Sequence, residues 1–444
     1  MITKRNIGWL EYSLDFTLVF LFIYGVTFKF TGFAGSKLVI IFLLVILNKR
    51  RILEQLLANK FVKYTFVIWI LISTHYYAVT VFSGHYSWVF LYQRFLFYFE
   101  CVVGSFLVWF YLDRKYTLNQ ICMLLVKIFL LQSILIFLSF VSDGFREFTN
   151  KIMVVEDERA LSATRTRGFS TSVNAALSYL QSLGVWISVI YFCVFKKKER
   201  GKLSTIICLL AIIIITLSTI FIARTGMIFC ILFILSYLFQ FAINNKSFFK
   251  TFFYSILIMS CVVVIATNYE IFIPQQKLAL FKERVVNRAF EAIETYNKSG
   301  KLETTSTNIL SNMFFFPEHD VDLIFGEGIW DASRVGRGGK SRVVGSDVGF
   351  VRLIFAGGII MVIVFYSQVF VFLKQLLGTS LGKHYWTGIV CLGLVIIIGE
   401  FKEPFVIAAS GIVKTFFLIL FAFTLTDKSF KNQSTNQLAH AKND

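Results

Sequence analysis

The sequence is poor in the features a soluble protein depends on. Charged residues make up 16% of its 444 positions and only 3 are proline, where a soluble domain carries roughly a quarter charged residues. A globule of this size could not be solvated by so thin a polar coat. Seven cysteines, at 101, 122, 193, 208, 230, 261 and 391, all fall inside apolar runs, and none pairs with another at metal-ligand spacing. They read as small buried hydrophobes, so neither a disulfide framework nor a zinc site is predicted. There is no Gly-x-Ser-x-Gly, no His-Glu-x-x-His, no Walker loop and no Gly-x-Gly-x-x-Gly opening a soluble domain. That argues against nucleotide-driven chemistry and calls for no cofactor and no metal. Energy must then come from the substrate's own bond or from an ion gradient. A cleavable signal pattern is also missing; the first apolar run follows Lys4 and Arg5 and is long enough to span.

What the chain has instead is apolar length. Hydrophobic residues make up 57% of it and the mean hydropathy is +0.71. Runs near the length needed to cross about 30 Å of hydrocarbon recur from end to end. The pattern predicts an all-α integral membrane protein with about twelve transmembrane helices, over 10–28, 32–48, 61–82, 88–112, 119–141, 174–195, 203–222, 225–243, 250–267, 346–373, 385–400 and 405–426. An even count puts both termini in the cytoplasm. The formal charge of +18 fits this topology without a nucleic-acid partner. The segments placed in the cytoplasm (1–9, 49–63, 113–118, 196–202, 244–250, 374–384 and 427–444) hold twenty-one of the 44 Lys and Arg and only five of the 26 Asp and Glu, which is the positive-inside bias of a membrane protein.

Two exterior connections are long, 142–173 within the first nine spans (1–267) and 268–345 ahead of the last three (346–426). Each is neutral overall but locally segregated. Within the larger loop, 276–296 has helical amphipathic spacing, with Leu278, Phe281, Val285, Ala289 and Ala292 on one face. It reads equally as an interfacial helix or as a helix packed on the ends of the spans. Residues 427–444 read as a polar cytoplasmic tail.

Charges inside spans are expensive and usually face a cavity or a partner. Arg94 and Glu100 in the fourth span, Lys127 in the fifth and Arg352 at the outer end of the tenth are of this kind. For any one of them, snorkelling or a structural ion pair is the commoner role. As a group, Arg94, Arg167, Arg224 and Arg352 all fall within about two helical turns of the exterior face. Arginines converging at one membrane depth suit an anionic head group, because the planar guanidinium matches phosphate. The acid–base candidates are Glu318, His319, Asp320, Asp322, Glu327 and Asp331 of the large loop, followed by Asp347. Histidine is poised nearest neutrality, and each of these residues taken alone is more often a solvated loop residue.

Three local patterns coincide with this layout. "TRTRGFSTSVNAALSYL" (164–180), "LSTIFIARTGMIFCIL" (217–232) and "LIFGEGIWD…VGSDVGFVRLIFAGGIIMVIVF" (323–365) resemble, in order and separation, the corresponding segments of O-antigen polymerases (Wzy) and the related O-antigen ligases. The resemblance implies a metal-independent membrane glycosyltransferase of GT-C-type architecture with a large periplasmic loop, in the bacterial inner membrane. It would pass a growing glycan, carried on undecaprenyl pyrophosphate, onto a new lipid-linked repeat unit. Its partners would be those lipid-linked oligosaccharides, membrane lipids, a chain-length regulator and a flippase. By position, Arg167, Arg224 and Arg352 match arginines expected near the pyrophosphate, and Arg94, Arg165 and Arg337 join them as substrate-binding candidates. Asp347 matches the loop-closing Ser-Asp and, with His319 and Glu327, forms the catalytic set. An Arg-x10-Gly spacing runs from Arg334 to Gly345. Val173 departs from the proline that many relatives carry before Asn174. His319 precedes Phe325-Gly326, so the ligases' histidine motif has no clear match, which favours polymerase over ligase. An oligosaccharide flippase or another secondary transporter is the alternative from a different class, although neither repeated halves nor broken helices are legible in the sequence. A non-enzymatic scaffold would explain the hydropathy but not the arginines.

Overall fold

The computed structural model describes residues 8–85, 87–154, 166–172, 174–195, 200–244, 313–330, 346–407 and 410–426, with isolated positions between 260 and 311. The described residues are helical, apart from turns and two isolated β-bridges, Thr27 with Ala34 and Phe28 with Met153. In chain order the helices are α1 (Trp9–Tyr24), α2 (Gly35–Ile46), α3 (Lys49–Ala58), α4 (Lys60–Ser83) and α5 (Trp88–Leu96). A π-helical segment (Phe97–Val103) carries α5 into α6 (Gly104–Asp113). Then come α7 (Leu118–Val141), α8 (Asp143–Ile152), α9 (Asn174–Val194), α10 (Lys202–Ile222), α11 (Arg224–Asn244), α12 (Asp320–Phe325), α13 (Gly349–Leu377) and α14 (Ser380–Lys402). Last is α15 (Gly411–Phe421), which ends in π-helical Ala422–Thr426.

Eight of these, counting α5 through α6 as one, are long and apolar enough to cross a membrane, and the chain is accordingly a multi-pass α-helical membrane protein. Three further predicted spans correspond to shorter helices. α2 and α15 are apolar. α1 has 16 residues and carries Glu11 and Asp15. Asp15 is fully buried, accepting hydrogen bonds from Tyr111 Oη (2.7 Å), Tyr116 Oη (2.8 Å) and Lys115 Nζ (3.0 Å). The tail lies outside the described residues, as does nearly all of the predicted span at 250–267 and of the amphipathic segment 276–296.

One end of the bundle, the basic end, carries α3 and the α6–α7 and α13–α14 connections. The other, the loop end, carries α12 and the starts of α9, α11 and α13. At the centre lies α9, walled by α7, α10, α11 and α14, with Tyr179, Trp186 and Tyr191 buried along it. Close approach there depends on small residues. A Cβ on Gly226 of α11 would stand 2.2 Å from the carbonyl oxygen of Ser178 on α9. Many outward side chains of α2, α4, α11, α13 and α14, among them Val45, Phe82, Phe239, Ile363 and Leu394, are apolar and exposed. A bilayer is the solvent that suits them.

One expectation is overturned. The sequence shows no broken helix, yet α13 breaks at Gly357 (φ −157°, ψ 22°) and Gly358 (φ 69°, ψ −173°). Only glycine tolerates the second pair of angles easily. The break is filled by protein. Glu327 and Ile329 donate their backbone N–H groups to the Phe355 carbonyl at 2.9 and 3.2 Å, and His75 Nε2 of α4 donates to the Gly357 carbonyl at 2.8 Å. The fit is too close for side chains: a Cβ on Gly326 would lie 2.5 Å from Gly357 Cα, and one on Gly358 2.0 Å from the Ile324 carbonyl oxygen. The two glycine pairs of "FGEG" and "AGG" therefore answer one another.

Candidate functional site

At the loop end the connection from α14 to α15 sinks into the bundle. Phe405, Val406 and Ile407 are buried. The α5–π–α6 helix holds this segment from one side. Arg94 Nη2 donates to the Ile407 carbonyl, and Ser105 Oγ donates to the Lys414 carbonyl at 3.0 Å. Below it, Glu100 forms a buried ion pair with Lys414 and accepts a hydrogen bond from Ser36 at the start of α2. From the other side, Glu400 of α14 accepts the Val406 N–H through Oε1 and the Tyr366 hydroxyl through Oε2, each at 2.5 Å. Glu400 is 2% exposed, and Gly349 opposite it leaves the room: a Cβ there would stand 2.3 Å from Oε2.

Charged side chains collect around this floor. Arg352, one turn into α13, donates Nε to the Ser346 carbonyl at 2.6 Å and pairs Nη2 with Asp347 at 3.3 Å. The Asp347 side chain is 56% exposed, so the pair opens to solvent. Glu403, the residue after α14, lies within electrostatic reach of Lys402, Asp347 and Arg352. Burial pushes its carboxyl up to about 7; Asp347 adds to the rise, and Lys402 and Arg352 oppose it. Lys402 Nζ donates to Thr225 Oγ1 at 2.5 Å and feels the charge of Arg224. The "RTG" triplet thus divides its work. Arg224 supplies charge, Thr225 receives Lys402, and Gly226 lets α11 meet α9.

Arg94 lies beneath Arg352 rather than beside it. The Arg352 guanidinium lies over the Trp330 ring at 5.9 Å, Trp330 meets Phe90 edge-on at 5.0 Å, and Arg94 lies 5.3 Å from the Phe90 ring. Arg94 is 2% exposed, and its Nε and Nη1 have no hydrogen-bond partner among the described residues. Trp330 and the segment before it are docked by α4, where Tyr76 Oη donates to the Gly328 carbonyl at 3.1 Å.

The predicted site residues do not form a single cluster. Asp347, Arg352 and Arg224 converge at the floor. Arg167 is buried in the 166–172 loop, donates Nη2 to Asn150 Oδ1 of α8 at 2.8 Å, and is pushed below the usual arginine range by burial. Its loop is pinned by Gln132, whose Nε2 donates to the Arg167 carbonyl at 2.8 Å. His319 is exposed at the start of α12, while Glu327 is half-buried where its backbone plugs the α13 break. Arg165 and Arg337 lie outside the described residues. The residues not anticipated are Glu400, Lys402, Glu403, Tyr366 and His75. Among the described residues, no three His, Cys, Asp or Glu side chains converge as a metal centre requires. The chain matches no protein-family model, and no curated protein matches it.

Proposed function

We propose that the chain is a membrane glycosyltransferase that polymerises polysaccharide, moving an undecaprenyl-pyrophosphate-linked glycan onto the terminal sugar of a new lipid-linked repeat. The observation that carries this reading is the meeting of Arg352, Arg224, Lys402, Asp347 and Glu403, from three helix ends, over a sunken floor at membrane level. A polyprenyl pyrophosphate whose tail stays in the bilayer presents its charge at that depth. The donor sugar arrives activated, so the protein must bind charge and place a hydroxyl. The acceptor hydroxyl oxygen bonds to the anomeric carbon as the bond from that carbon to the pyrophosphate oxygen breaks. The polyprenyl pyrophosphate leaves with that bond's electron pair, and Arg352, Arg224 and Lys402 offset its charge. The hydroxyl proton passes to a carboxylate.

Glu403 suits that last role better than Asp347, which is already committed to Arg352. Its carboxyl, raised to about 7 by burial, is a stronger base than a solvated carboxylate. Arg94 holds the floor from below. His319 and Glu327, further along the same loop segment, are the acceptor-side candidates. The full reading has twelve spans, GT-C-type architecture and the loop end on the periplasmic face of the inner membrane, with both termini in the cytoplasm. A flippase and a chain-length regulator would act beside it.

The test is genetic and direct. Arg224→Ala and Arg352→Ala are expected to leave the protein in the membrane at normal abundance and to shorten the cell's polysaccharide to single repeats. Normal chain length in both variants overturns the assignment.

The break in α13 favours a second reading, transport, because discontinuous helices are a device of secondary transporters. There, however, unwound backbone lines a cavity, whereas here Glu327, Ile329 and His75 occupy the freed carbonyls. Flipping of labelled lipid-linked oligosaccharide by purified protein, without glycan transfer, would establish transport instead.

A further inference from the structure

The basic end holds a second charged feature that the proposed chemistry does not use. Under α3, where it crosses α6, lies an open crevice of about 380 Å³, lined among others by Arg51, Gln55, Asn59, Trp109, Asp113 and Arg114. It shares Ala58, Asn59 and Leu425 with a neighbouring crevice of about 470 Å³, which adds Lys60, Gln375 and Thr379. The two form one trough, its walls part charged and part aromatic, across the ends of α4, α6, α13 and α15.

The charges in this trough are unbalanced. Arg114 is laid over the Phe110 ring at 4.3 Å, which fixes its guanidinium against the wall. Arg51, from the other side, is close enough to lower the Arg114 pKa, an effect added to that of burial. Neither arginine has an ion-pair partner among the described residues. The neighbouring Arg50 differs, because it turns outward and is paired with Glu54 at 3.1 Å. Asp113 also lines the trough, and it accepts a hydrogen bond from Thr426 Oγ1 at 3.0 Å. Among the described residues that line the trough, one carboxylate stands against Arg51, Arg114 and Lys60, a positive balance. Arg51 and Arg114 are both solvent-exposed on the wall of one crevice, and two guanidiniums on one wall offer planar donors to phosphate oxygens.

The position says which phosphate. α3 is a ten-residue amphipathic helix between the ends of α2 and α4. It buries Ile52 and leaves Leu53 and Leu57 more than half exposed. A helix so placed lies in the interface, its leucines toward the acyl chains and its arginines at headgroup level. We propose that this trough binds the phosphate headgroup of an anionic phospholipid from the leaflet at the basic end. The site is independent of the glycan chemistry, being separated from Glu403 and Arg352 by the length of the bundle.

The test uses the full-length protein purified and reconstituted in nanodiscs of phosphatidylcholine with a minor fraction of phosphatidylglycerol. Native mass spectrometry is expected to find phosphatidylglycerol retained at least fivefold over its share of the bilayer. The Arg51→Gln/Arg114→Gln double variant is expected to lose that enrichment and Arg50→Gln to keep it. Equal enrichment in the double variant overturns the proposal. So does displacement of the lipid by millimolar inorganic phosphate without any preference over phosphatidylcholine, which would assign the trough to free phosphate. If the double variant does not fold, a photoactivatable phosphatidylglycerol on the wild type decides. Labelling within 51–60 and 109–114 supports the site, and labelling confined to other segments overturns it.

Discussion

At single residues, the chemistry turns on which carboxylate accepts a proton and which cations meet the pyrophosphate. Glu403→Gln keeps the size of the side chain and removes its basicity. It is expected to lower glycan transfer by about 10²–10⁴-fold, the usual contribution of a positioned general base, while leaving lipid-linked substrate binding nearly unchanged. The pH profile carries the sign. A carboxyl raised to about 7 by burial is protonated and idle below that pH and becomes a base above it, so wild-type transfer should climb with pH through about 7. Asp347→Asn should move that climb to lower pH without abolishing it, because Asp347 adds to a rise that burial leads. A profile flat across this range in wild-type protein would remove Glu403 from the role. Arg352→Lys separates charge from geometry. The lysine keeps the cation but loses the fork that reaches both Ser346 and Asp347, so transfer should fall by at least tenfold with protein abundance unchanged in membrane fractions.

At the scale of elements, the decisive features are breaks and sunken turns. Gly358→Ala forces a Cβ into left-handed backbone and against the Ile324 carbonyl. Such strain costs about 1–3 kcal/mol, to be read as a lowered thermal unfolding midpoint, while Gly8→Ala, with open space around it, should change nothing. These features also show what the sequence can reveal. Helix positions were legible because apolar length is a strong signal. The start of α13 near Gly349, the start of α11 at Arg224 and that of α9 at Asn174 all lie within a few residues of the hydropathy reading. The break in α13 was not legible: two glycines in a long apolar run are as compatible with an unbroken span as with a plug from a loop 30 residues earlier. The sunken turn "GEFKEPF" is hidden in the sequence for a related reason. Two charges between two spans, with a third at the end of the first, resemble an ordinary exposed turn, and only the packing of Arg94 and Glu400 against Ile407 and Val406 draws that turn inward to make it a floor. Arg352 and Asp347 could be recognised because they are close in sequence. Glu403 could not, because what makes it a candidate is contributed by α13, some 50 residues before it.

At the scale of the whole molecule, buried charge holds the two halves of the bundle in register. Glu100 and Lys414 are 314 positions apart and bury their ion pair together with Ser36. Removing one partner leaves an uncompensated charge away from water, which costs about 3–5 kcal/mol. Glu100→Gln and Lys414→Met should each lower the unfolding midpoint and the amount of protein in the membrane, and the double variant should recover most of the loss. A double variant as unstable as the sum of the singles would show that the pair does not act as a unit.

In the proposed function the cluster at the loop end transfers glycan between lipid carriers. The most direct measurement reconstitutes purified protein in liposomes with radiolabelled undecaprenyl-pyrophosphate-linked repeat units and follows product length. Wild-type protein is expected to make a ladder of lipid-linked oligomers, without nucleotide and in the presence of a chelator, and Arg352→Ala to leave only unreacted single repeats. Single repeats from wild-type protein, or an undiminished ladder from the variant, would contradict the proposed function.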